Sequence, residues 1–222
     1  MDMFPLWNSL RIAALSSVIV FFLGIFTAFY VSKCRRITKA LVDVVLTLPL
    51  VLPPTVIGYF LLVTVGARRP LGMFLAEFGI QFVMTWYGGV LAASVVAFPL
   101  MYRTARGAFE SFDETLAYAG QTLGLSNSYI FWRIRMPACR QGILAGFVLA
   151  FARALGEFGA TIMLIGYTPG RTATISTSVF HFWRLGDDQG AFVWVMLNIG
   201  ISALVLLAVN MLERKNKRMV SS

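Results

Sequence analysis

The stretch Ser111–Pro137, SFDETLAYAGQTLGLSNSYIFWRIRMP, lies between two apolar runs long enough to cross a bilayer. It is too long for a tight connector and too regularly patterned for a slack loop. Ser111 and Glu114 have the spacing of a capping box, in which the hydroxyl accepts the N3 amide and the carboxylate accepts the cap amide. Leu116, Ala119, Gly120 and Leu123 recur at helical spacing, which puts them on one apolar face with small residues at its centre. Gly124 follows where a left-handed C-cap is expected. Ser126 is placed to start a second helix over 127–135, with Ile130, Phe131 and Ile134 on one side and Arg133 and Arg135 beside them. Pro137 is expected to stop that helix and open the next. Two short helices joined at a glycine, between spans but outside the membrane, fit two roles: an interfacial linker, or a handle gripped by another protein.

Outward from this insert the chain is apolar. Of 222 residues, 58% are hydrophobic and 13% charged, against about a quarter charged in a soluble domain. The chain is therefore an all-α polytopic membrane protein, with lipid as its surroundings. Its net charge of +9 is topological, because thirteen of the nineteen basic residues sit in three places: Lys33–Lys39, Arg103–Arg140 and Arg214–Arg218. Alternating spans put all three on one side, the positive-inside pattern, and no nucleic-acid footprint is implied. Cys34 and Cys139 fall on that same side, so no disulfide is expected, and with a single histidine in the chain no metal site is plausible; no cofactor is expected. The N-terminal run is too long for a signal peptide and is expected to be retained as a span.

About twenty apolar residues cross a bilayer, and the expected spans are 9–31, 41–65, 84–102, 138–165 and 191–212, with a loop over 107–137. That count puts the N-terminus outside and the C-terminus in the cytoplasm. Within the second span, Pro49, Pro53 and Pro54 cannot all sit in a straight helix, since each lacks an amide and crowds the carbonyl four residues back. Thr47 and Thr55 are placed to satisfy freed groups. The stretch is either a structural kink or a broken segment lining a path. In the fourth span Gly142, Gly146, Ala152, Gly156 and Ala160 form a small-residue face suited to close helix packing. Arg153 and Glu157, at i and i+4, either neutralise each other or serve as a gate on an anion path. His181, in the external loop 166–190, has no catalytic partner at a telling spacing.

Three of these segments resemble known proteins. The pattern A-G-x-x-L-G at Ala119, Gly120, Leu123 and Gly124, followed by Met136-Pro137, resembles the EAA loop of ABC-transporter permeases, with Ala117 where that family usually has Glu. LPLVLPP at 48–54 with Gly58 and Tyr59 is similar to the second span of molybdate permeases, and ARALGEFGAT at 152–161 is similar to molybdate and sulfate permeases. The resemblance implies a type I ABC importer permease core in the cell (inner) membrane. Its insert would dock on a cytoplasmic ATPase through Leu116, Ala119, Gly120, Leu123, Gly124 and Ser126. Thr47, Pro49, Pro53, Pro54, Thr55, Arg153, Gly156 and Glu157 become candidates for the pathway or its gate.

The partners it implies are a second copy of the chain, two copies of the ABC ATPase and an extracytoplasmic molybdate-binding protein. Five spans are too few to enclose a path, so the homodimer interface would supply it. No G-x-x-x-x-G-K-[ST] string occurs, so ATP hydrolysis falls to the partner and the chain is not an enzyme. Molybdate, with tungstate beside it, is the expected cargo. Sulfate or thiosulfate is the alternative cargo, and an ATP-independent channel the alternative mechanism.

Overall fold

The computed structural model describes residues 2–220, with only the backbone described at residue 206 and from residue 208 onward. Among the described residues all the regular secondary structure is helical. Helix α1 (Phe4–Ser32) runs the length of the molecule, and α5 (Trp86–Glu110) and α8 (Met136–Leu155) pack along it. Small residues set the spacing of this trio. Ala93, Ala97 and Ala105 of α5 are fully buried, and a Cβ on Gly24 would meet the Met101 side chain at 2.6 Å. Gly142 and Gly146 of α8 let it approach Ala108 and Thr104 of α5 in the same way.

The second span is broken. Helix α2 (Arg36–Val51) and helix α3 (Pro54–Val65) meet at 109° across Leu52 and Pro53. Each of those two residues precedes a proline, which disfavours the α conformation, and both are extended, with ψ 141° and 135°. Pro54 then opens α3, where its missing amide costs nothing. Pro49 stays inside α2 and does not end it. The two threonines do not mend the break: Thr47 donates to the Asp43 carbonyl in its own helix at 2.7 Å, and Thr55 is exposed, its hydroxyl without a hydrogen bond among the described residues.

Several boundaries differ from expectation. The third span does not stop at residue 102, because α5 continues through Arg103 and Arg106 to Glu110. Pro137 stops nothing: helix α7 (Asn127–Ile130), a π turn at Phe131–Arg135 and α8 form one continuous rod. The wide turn, with the Met136 amide reaching Phe131 O, re-registers the hydrogen bonds so that a proline fits. The fourth span ends at Leu155 instead of 165, and after Gly156–Phe158 a separate helix α9 (Gly159–Ile165) begins.

Short helices α4 (Pro70–Glu77) and α10 (Ile175–Arg184) occupy the loops at the end remote from the insert. There Asn8 and Ser9 of α1 clamp the start of α10, Asn8 donating to Ala173 O and Ser9 accepting from the Ile175 amide. Helix α11 (Asp188–Val220) closes the bundle, and the side chains of the basic tail, Arg214–Arg218, lie outside the described set. Among the described residues, four helices, or five when the bent pair counts as one, are long and apolar enough to cross a membrane.

Candidate functional site

The insert folds as a tight helical hairpin. Helix α6 (Glu114–Thr122) is capped by Asp113, whose carboxylate accepts the Thr115 amide at 3.0 Å, and not by Ser111, whose hydroxyl donates to Gly107 O. The expected Ser111–Glu114 capping box is absent because Asp113 takes the cap and Glu114 is recruited elsewhere. Gly124, at φ +77°, ends the helix: its amide reaches Gln121 O and the Leu125 amide reaches Gly120 O, a Schellman closure that an L side chain would strain. Ser126 caps α7, accepting the Tyr129 amide.

Glu114 is bound by Arg135 through two parallel hydrogen bonds of 2.7 and 2.6 Å. The guanidinium also lies 4.4 Å from the ring centre of Phe112. The Arg135 hydrogen bond holds the Glu114 carboxyl below its usual range, and the nearby Lys33 contributes in the same direction. Asp113 is held low as well, by the Thr115 hydroxyl and amide.

The face of α6 that turns inward is not the expected one. Ala117 and Gly120 are buried, and a Cβ on Gly120 would meet Ile130 and Ile134 at 3.2–3.3 Å. Leu116, Ala119 and Leu123 point out together with Tyr118, and Leu123 is 80% exposed. Gly120 thus lets the two helices of the hairpin close on each other, while the leucines form a free apolar surface around Ala119.

Between the hairpin and the broken span runs a chain of ion pairs. Lys39 of α2 meets Glu110 at 3.0 Å, and Arg106 of α5 meets Asp43 of α2 at 2.6 Å and Glu110 at 3.7 Å. None of α2 is buried, and its inner half is held to the bundle by these charges together with Val42 and Leu46, which pack against the core. Sequence reasoning missed them, although an aspartate in an apolar span signals a partner elsewhere. It likewise missed Arg135, passed over as one of two helical arginines.

Deeper in the membrane region the two breaks come together. Gly159 of α9 abuts Pro54 and Thr55 of α3, where a Cβ would come within 2.9 and 3.1 Å, and Gly58 sits against Ala160 and Met163. Arg153 Nη1 lies 2.6 Å from Glu157 Oε2 as a close charge contact off the line of donation, while Glu157 Oε1 accepts the Ala160 amide at 2.7 Å. Glu157 therefore both pairs with Arg153 and starts α9. The small-residue face is divided by this break: Gly142 and Gly146 serve α5, Ala160 serves α3, and Gly156 stands open with only Ala152 O near its Cβ position. Pro53 and Thr55 are exposed at the bend, Thr47, Pro49 and Pro54 half-buried.

Residues 20–219 match the family described as binding-protein-dependent transport system inner membrane component. The molybdenum transport system permease protein ModB of Escherichia coli K12 is 43% identical over 216 residues, covering 95% of this chain and 94% of that one. A putative molybdenum transport permease of Bacillus subtilis is 35% identical over 206 residues, covering 92% and 91%. Among solved structures, a bacterial ABC transporter involved in alginate import superposes with a TM-score of 0.77 at 18% identity, covering 96% of this chain and 79% of that one. An inward-facing methionine ABC transporter gives 0.73 at 14%, covering 95% and 94%. At those identities the superpositions speak for the fold.

Proposed function

Because the chain belongs to the family of inner membrane components of binding-protein-dependent transport systems, we propose that it is the membrane-spanning subunit of an ATP-driven molybdate importer. The observation that carries the cargo is the 43% identity across nearly the whole of both chains to a molybdenum transport permease. In this reading the hairpin end faces the cytoplasm of a cell whose inner membrane the helices span. Two copies enclose the path. Two ATPases bind the exposed surface around Leu116, Ala119 and Leu123, and a binding protein delivers the dianion at the opposite end.

The geometry suits a lever. The hairpin is joined to α8 by an unbroken rod and follows α5 within three residues, Ser111–Asp113. Its two helices are locked by Glu114–Arg135 and by the Gly120 contact. Displacement of the hairpin by a closing ATPase therefore passes into α5 and α8 with little loss in bending. From α5 it reaches the inner half of α2 through Asp43–Arg106, and from α2 the bend beside α9. Alternating access then consists of the two copies rocking about the crossing of the broken helices. Arg153 offers a cation to a passing oxyanion, and its pairing with Glu157 keeps that offer weak enough for release.

ATP hydrolysis in proteoliposomes containing this chain and its ATPase tests the reading. Stimulation by binding protein loaded with molybdate, and none by the sulfate-loaded equivalent, is expected. Absence of stimulation together with ATP-independent oxyanion leak would overturn it in favour of a channel.

A further inference from the structure

At the hairpin end, the last turns of α1, the start of α2 and the back of the hairpin surround an open cavity of about 1200 Å³. Phe26, Tyr30 and Lys33 line it from successive turns of α1, so the wall passes from aromatic to cationic over roughly 10 Å. Trp132 faces them from the hairpin, with Ser32 and Asn127 as hydrogen-bonding groups. The carboxylates on the wall are already engaged, Glu114 by Arg135 and Glu110 by Lys39. Lys33 is exposed, lies 4.1 Å from the ring centre of Phe29 and has no ion-pair partner among the described residues. The cavity therefore offers a cation whose nearby carboxylate, Glu114, is already bound by Arg135.

Its apolar wall does not end at the cavity. Leu15, Ile19, Phe22, Phe26 and Tyr30 form one exposed stripe along α1, the side of the helix turned away from α5 and α8. Tyr30 and Trp132 are exposed amphipathic rings of the kind that gather at membrane interfaces. A soluble anion would use only Lys33, whereas a phospholipid would use the whole stripe.

We infer that this cavity binds the phosphate headgroup of an anionic phospholipid, with Lys33 on the phosphate and an acyl chain running back over Tyr30 and Phe26. The inference rests on the reading that the hairpin end lies at a membrane surface. A lipid seated there touches both α1 and the hairpin, and so braces the segment that the ATPase moves.

Native mass spectrometry of the transporter assembled with its ATPase, extracted from an equal mixture of phosphatidylglycerol and phosphatidylcholine, tests the site. Wild type is expected to retain phosphatidylglycerol preferentially. Lys33→Gln should reduce that preference ~5-fold, the effect of one cation at an anionic surface; Lys33→Arg should restore it and Arg36→Gln should leave it nearly unchanged. No preference in wild type, an unchanged Lys33→Gln, or an equal loss with Arg36→Gln would overturn the site, the last by reducing it to diffuse attraction. Displacement of the lipid by millimolar inorganic phosphate would overturn the lipid as occupant. The ATPase is counted in the same spectra, so loss of docking with lipid preference intact would sink the coupling reading alone.

Discussion

Arg135 holds Glu114 from the far side of the hairpin, twenty-one residues along the chain, with both ends of its guanidinium. The arginine is 5% exposed and the glutamate 49%, so the charge that suffers when the pair is broken is the arginine. Glu114→Gln should therefore loosen the hairpin by roughly 1–2 kcal/mol, between the values for exposed and buried pairs. Hydrogen exchange over residues 112–135 checks this, with insertion in the membrane unchanged. Protection equal to wild type would mean that the Gly120 contact alone holds the hairpin.

The pH dependence of the same pair has a definite sign. The Arg135 bond holds the Glu114 carboxyl below its ordinary 4.5. Its stabilisation is thus fully present above that ordinary value and is lost as pH falls through the lower, folded-state value. Hairpin protection in wild type should stay level from pH 7 to 5 and decline only in stronger acid. Glu114→Gln should remove this contribution to the acid decline, and hydrogen exchange corrected for intrinsic rates reads both.

Gly120 and Leu123 occupy the same helix and should fail differently. Gly120→Glu drives a side chain into Ile130 and Ile134 and is expected to part the two helices, losing hairpin protection and ATPase capture together. Leu123→Asp adds charge to an exposed apolar surface and should weaken capture at least tenfold while leaving protection intact. Capture retained in Leu123→Asp would move the docking surface elsewhere.

These two residues also mark how far the sequence could be read. Caps at Gly124 and Ser126 are local chemistry and were legible. So were the membrane class, the insert and the strain at Pro53-Pro54. Which face of α6 turns inward was not, because Ala119, Gly120 and Leu123 share helical spacing, while the inward set is chosen by Ile130 and Ile134 across a turn. Glu114 was misassigned for the same reason: a capping box is visible within four residues, but its real partner, Arg135, is reached only after the hairpin closes. The break at Gly156–Phe158 carries no proline and depends on Glu157 turning back to the Ala160 amide, a bond hidden inside a run that reads as one apolar helix.

The Asp43–Arg106 pair should behave as a coupling element. Both side chains are half-buried, Arg106 at 17% and Asp43 at 22% exposure, so Arg106→Gln strands Asp43 at a cost of about 1–3 kcal/mol, between the values for exposed and buried pairs, while Asp43→Asn leaves Arg106 its longer contact with Glu110 and should cost less. The double change should recover much of the stability but not the coupling of uptake to ATP hydrolysis. Thermal unfolding in detergent and the ratio of cargo transported to ATP consumed measure the two separately. A double variant with normal coupling would make the pair structural.

For Arg153 and Glu157 the burial is unequal, and the prediction follows from that inequality. Glu157 is 1% exposed and Arg153 30%. Arg153→Gln strands a carboxylate that cannot reach water, whereas Glu157→Gln leaves an arginine already open on one side and keeps an oxygen for the Ala160 amide. Arg153→Gln should thus be the more damaging single change, by about 1–3 kcal/mol, and the double Gln variant should be more stable than Arg153→Gln. Thermal unfolding of the purified protein ranks the three, and the reverse order would show that the arginine is the stranded charge. Transport then separates packing from passage. If oxyanions meet Arg153 on their way, the double variant, though stable, should transport with ATP hydrolysis intact and a lowered maximal rate; if the pair only starts α9, its rate should match wild type.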